Sequence, residues 1–123
     1  MTAAGAGFGD PVTNAKVEKV AMYLVAAAYA EQGWTPHDVS SRKVGWDITM
    51  RRVSDELHIE VKGTSGSKPT VLLTRNEHST AGADPLWRLA VATQALTSPT
   101  LTEYTATQVL GCSSPHVFRV QLG

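Results

Sequence analysis

The chain has 123 residues, 42% of them hydrophobic, which is enough for one folded unit with an apolar interior and too few for two ordinary domains. Its formal charge is zero, from 11 Lys and Arg against 11 Asp and Glu; this excludes the strongly basic whole-chain surface of a tight non-specific nucleic-acid binder, but not a local positive patch. Cys112 is the single cysteine, which excludes an internal disulfide and a cysteine-rich zinc cluster; with no basic leader and no apolar run of ~20 residues, a cytoplasmic protein with no membrane partner is expected.

Residues 1–12, small and Gly/Ala-rich at their start, read as a flexible lead-in, and residues 13–123 as a single domain. Thr13 or Asn14 can cap a helix in which Val17, Val20, Ala21, Leu24, Val25 and Ala28 recur at the spacing of one helical face, with Gly33 as its stop. From Trp34 the pattern changes to strands: residues 34–39, then, after a loop through Gly45, residues 46–53 and 56–62. Residues 63–69 read as a mobile surface loop and residues 70–73 as a short strand. Thr74 and Glu77 then form a capping box that opens a short helix, ended by Gly82 or by Asp84 and Pro85. Residues 86–92 should be a buried strand; residues 101–105 and 117–122 fit edge strands, with a helical turn between Thr105 and Gly111. This order predicts an α/β fold with a central mixed sheet flanked by helices.

The chemistry concentrates in the hairpin of residues 46–62. Side chains alternate faces along a strand, so Leu57, Ile59 and Val61 point one way and His58, Glu60 and Lys62 the other. On the first arm, Trp46, Ile48 and Met50 are expected to share the apolar face, leaving Asp47, Thr49 and Arg51 on the polar one. A two-residue turn at Ser54 and Asp55 pairs Thr49 with Glu60 and Asp47 with Lys62, making Asp47 and Glu60 diagonal neighbours. Two carboxylates so placed can grip a hard divalent cation, Mg²⁺ or Mn²⁺, with the backbone carbonyl of Val61 as a further oxygen ligand. Lys62 would orient the attacking water or add positive charge beside a scissile phosphate. A solvated hairpin face with an Asp47–Lys62 ion pair remains the alternative.

The segments Gly45-Trp46-Asp47-Ile48, Ile59-Glu60-Val61-Lys62-Gly63-Thr64 and Leu73-Thr74-Arg75-Asn76-Glu77 resemble the C-terminal domain family named after the protein NO VEIN, over residues 15–92. That family is similar to the PD-(D/E)xK nuclease superfamily, although Trp46 stands where that motif has proline. The resemblance implies a restriction-endonuclease-like sheet and a further acidic residue from the first helix, a place held by Glu18. An acidic residue early in a helix is also expected for dipole reasons alone.

The expectation is therefore a metal-dependent endonuclease acting on DNA, in restriction or phage defence, as a homodimer or within a larger defence complex. Asp47, Glu60, Lys62 and Glu18 would be catalytic; Lys43, Lys68, Arg75 and Asn76 are candidates for contacting phosphate, the last two at a helix start where exposed N–H groups attract anions. The alternative is a catalytically silent nuclease-fold module that binds DNA or docks a protein. No Gly-rich phosphate loop ending in Gly-Lys-Ser/Thr occurs, so any ATP-driven motor would be a partner.

Overall fold

Helix α1 (Pro11–Glu31) carries one apolar stripe, Val17, Ala21, Val25 and Tyr29, buried along its length. The computed structural model that shows this describes residues 11–116 and 120–122. The helix begins earlier than its sequence signals suggest, so residues 11 and 12 of the expected lead-in are helical. After it come β1 (Thr35–Asp38), a 3₁₀ turn (Ser40–Arg42), β2 (Ile48–Arg52), β3 (Asp55–Gly63), α2 (Arg75–Ala83), β4 (Trp87–Thr93), β5 (Thr100–Thr105) and α3 (Ala106–Cys112).

The five strands form one mixed sheet in the order β1-β2-β3-β4-β5. Every neighbouring pair is antiparallel except β3 and β4, which run parallel because the chain crosses over through α2 between them. Both faces are covered. Ile48, Met50, Ile59, Val61, Ala90 and Ala92 meet the α1 stripe on one side, while Trp87, Leu89 and Val91 pack with Ala81 of α2 and with Ala106 and Val109 of α3 on the other. A strand covered on both faces reads as a continuous apolar run, which is why the interior of β4, Leu89 to Ala92, is buried without alternation. The end of β3 lies so close to α1 that a side chain at Gly63 would collide with Val17.

Three expectations need correction. Residues 70–73 form no strand; Val71 and Leu73 instead pack as irregular chain over the α2 side of the sheet, where their apolar content is used without a ladder. The hairpin turn is Val53-Ser54, with Arg52 opposite Asp55, so Thr49 faces His58 rather than Glu60. The expected register was thus wrong by two positions, and an even slip leaves every side chain on its face. The observed turn places Arg51 against Glu56, where they form an ion pair of 3.1 Å. Third, Trp46 does not share the face of Ile48 and Met50. The strand starts only at Ile48, and Gly45 at φ 104° redirects the chain before it, so Trp46 packs with the Trp87 cluster. Of the proposed final strand, residues 117–119 lie outside the described residues, and 120–122 are not in a strand.

Candidate metal centre

Asp47 is fixed from three directions. Its N–H donates to the Ile59 carbonyl at 2.9 Å, its carbonyl accepts from Val39 N–H at 2.8 Å, and its Oδ2 accepts from Val61 N–H at 2.9 Å. Asp47 precedes β2 and lies off the β2–β3 ladder, yet its bonds to Ile59 and Val61 bring its carboxylate close enough to Glu60 for the two charges to repel. Because the N–H and C=O of one strand residue point to the same side, the Val61 carbonyl also faces the Asp47 edge, beyond the start of β2. Gly45 supports this arrangement by close approach: a side chain there would collide with Thr80 of α2, and the Gly45 carbonyl accepts from the buried Trp87 indole at 3.0 Å.

Glu60 is 2% exposed, and its Oε1 has no hydrogen-bond partner. Burial, reinforced by the neighbouring Asp47 charge, pushes its pKa up to about 9. Lys62 Nζ lies 3.3 Å from Glu60 Oε2 and 2.9 Å from Glu77 Oε1. Burial alone would lower the lysine pKa, but the carboxylates of Glu60 and Glu77 reverse this and hold it above the ordinary value. Burial would likewise raise Glu77, yet the Thr74 N–H and the Lys62 ammonium keep it below the usual carboxylate range. No Asp47–Lys62 ion pair forms among the described residues; Lys62 is shared between two glutamates instead. The cluster reaches solvent through Lys62 and Glu77, whose side chains are 22% and 18% exposed.

Glu77 was legible in the sequence only as a capping residue. It does cap α2: its Oε1 accepts from Thr74 N–H at 2.9 Å, and Thr74 Oγ1 accepts from Glu77 N–H at 3.1 Å. The same oxygen also meets Lys62, a contact invisible without the crossover that carries α2 over β3. Glu18 is not brought to the cluster. It is exposed on α1, which covers the Ile59–Val61 face, whereas Glu60 and Lys62 project from the opposite face. Of the candidate phosphate contacts, Asn76 donates to the Lys43 carbonyl at 3.2 Å, joining the 40–47 loop to the first turn of α2 and setting Lys43 and Arg75 near the Glu77 end of the site. Lys68 is exposed in the loop between β3 and α2.

A second polar group shares this face one step back along β3. His58 stacks on Trp46 with ring centroids 3.9 Å apart, while its Nδ1 meets Asp84 at 2.5 Å and its Nε2 meets Glu56 at 2.6 Å. Both ring nitrogens are thereby occupied, so His58 joins the hairpin to the end of α2 and offers no free ligand. A groove of about 390 Å³ between the end of α2, Arg88 and the start of α3 includes none of the Asp47–Glu60–Lys62 cluster.

Among the described residues, no three His, Cys, Asp or Glu side chains converge as a ready-made metal cage. What converges is a pair of carboxylates with one buried oxygen unpartnered. This fits a hard divalent cation of the Mg²⁺ type, which takes one or two carboxylates and completes its shell with other oxygens. No helix among the described residues is long and apolar enough to cross a membrane. No curated protein and no solved structure matches the chain. The profile described as Protein NO VEIN, C-terminal, does match, over residues 17–104, spanning α1 through most of β5 and including every residue of the cluster; the chain belongs to that family.

Proposed function

We propose that this chain is a metal-dependent endonuclease of the PD-(D/E)xK type, hydrolysing phosphodiester bonds in DNA. The observation that carries the reading is the buried Glu60 carboxylate beside Asp47, with an orphaned oxygen and an ammonium at its side. Asp47, Glu60 and the Val61 carbonyl would hold Mg²⁺ or Mn²⁺, which when bound supplies an acidified water and charge neutralisation at phosphate. Lys62 holds a positive charge next to these ligands, where it orients a nucleophile and offsets negative charge developing on the phosphoryl oxygens. Lys43, Arg75 and Asn76 would bind the phosphate backbone, with Lys68 on the loop between β3 and α2; the bond from Asn76 to the Lys43 carbonyl supports grouping the first three. A mixed sheet with helices on both faces agrees with a restriction-endonuclease-like assignment, and a role in restriction or phage defence, as a homodimer or with partners, follows from that class.

The test is plasmid cleavage across a titration of Mg²⁺ and Mn²⁺, comparing wild type with Glu60→Ala. Metal-dependent nicking by the wild type that the substitution abolishes is the expected result. No cleavage of DNA or RNA under any metal condition would remove the catalytic reading. A second reading, a catalytically silent nuclease-fold module that binds DNA or docks a protein, is favoured by the zero formal charge and by the absence, among the described residues, of three side chains placed together to hold a metal. DNA binding that survives Lys62→Ala, without cleavage, would select it.

A further inference from the structure

Two helices of this chain start with the same device. Thr74 and Glu77 box the start of α2, and Thr105 and Gln108 box the start of α3. In each, the side-chain oxygen of the third helical residue accepts from the cap N–H at 2.9 Å. Gln108 shows that an uncharged amide performs this task in this fold. The charge at position 77 is therefore surplus to capping; it lies close enough to Glu60 to repel it, and its nearest partner of opposite charge is the Lys62 ammonium, 2.9 Å away, nearer than the 3.3 Å that separates that ammonium from Glu60.

We propose that Glu77 is a positioning residue that draws the Lys62 ammonium away from Glu60, leaving the Glu60 carboxylate available to a divalent cation. This rests on the metal-centre reading above and goes beyond it by assigning a role to a residue outside the ligand set. Without the Glu77 charge, the one carboxylate among the described residues left paired with Lys62 is Glu60, and the ammonium then competes with the cation for the same oxygens. The site would also lose one of the negative charges that favour a doubly positive ion.

Capping and positioning separate cleanly by substitution. Glu77→Gln retains the box, as Gln108 does in α3, and removes the charge; Thr74→Ala removes the hydroxyl half of the box and leaves the carboxylate. The probe is Mn²⁺ alone, titrated calorimetrically into the whole chain, with thermal unfolding measured on the same samples. Glu77→Gln is expected to weaken Mn²⁺ binding about tenfold or more at a near-native Tm, as is typical when a group supporting the ligands is lost. Thr74→Ala should do the reverse, lowering Tm while keeping the affinity. In cleavage assays, Glu77→Gln should depress kcat at saturating DNA with little change in KM. Mn²⁺ binding by Glu77→Gln equal to wild type, while Asp47→Asn abolishes it, overturns this inference alone. Absence of Mn²⁺ binding by the wild-type chain overturns the metal-centre reading and this inference together.

Discussion

Glu60 occupies surroundings that a carboxylate ordinarily avoids: buried, next to a second acid, with one oxygen unpaired. The linkage sign follows from its pKa, raised from 4.5 to about 9. Between these values the folded chain retains a proton that the unfolded chain releases, so stability falls as pH rises through the window, by up to roughly 1 kcal/mol per pH unit. Glu60→Gln removes both the titration and the like-charge repulsion. In divalent-free buffer at pH 8 it is expected to melt above the wild type, with the advantage shrinking toward pH 5. Equal destabilisation at both pH values would contradict this account. Some of this was readable from residue identities alone. Strand parity placed Glu60 and Lys62 on one face, and an error of two in the register left that face intact because the period of a strand is two; Asp47, ahead of β2, comes beside Glu60 through its bonds to Ile59 and Val61 instead. Parity said nothing about Glu77, whose arrival depends on the path of the chain between residues 63 and 74.

At the scale of elements, the turn of the β2–β3 hairpin carries a visible cost. Val53 is fully exposed at its tip and sits at φ 55°, a conformation in which a β-branched side chain is crowded by its own backbone. Asparagine tolerates that region far better. Val53→Asn is expected to stabilise the chain by about 1 kcal/mol, a rise in Tm of about 4 °C, with no change at the cluster because the register is kept. An unchanged or lower Tm would show that the strain is not there. This strained valine is also why the turn was misplaced from sequence, since Ser54 and Asp55 have the composition of a turn and Val53 that of a strand. The arms on either side, the capping box at Thr74 and the apolar stripe of α1 were legible, because each is set by near neighbours along the chain. Trp46 was not. Its orientation follows from the left-handed Gly45 and from stacking on His58, both outside the strand pattern that would have turned it toward Ile48 and Met50.

Across the whole molecule, the basic residues concentrated in the middle third of the sequence divide by role. Arg51 pairs with Glu56, Arg52 lies 4.2 Å from the Trp34 ring and donates to the Gln32 carbonyl, and Lys62 is held by two glutamates. Arg42, Lys43, Lys68 and Arg75 remain exposed, all of them in the connecting segments or at the start of α2. A neutral chain can thus still present positive charge on its connecting segments and at the start of α2. If the cluster binds a divalent ion in the folded state alone, Mg²⁺ at about 100 times its Kd should add roughly 3 kcal/mol of stability. Thermal unfolding with and without Mg²⁺ checks this: the wild type gains, Asp47→Asn does not, and a matching gain by the variant would place the ion elsewhere.

The parallel pairing of β3 with β4 makes the chain leave the sheet at Gly63, build α2 and return, and that excursion delivers the carboxylate of residue 77. The hairpin can assemble its own acids and its amine early, from contacts short in sequence, while the long excursion closes later. If the cluster binds an ion as proposed, a refolding chain possesses a trap with its own lysine lodged inside before it possesses the means of emptying it. On that reading, ion uptake should lag behind hairpin formation, and the lag would time the moment at which the excursion docks.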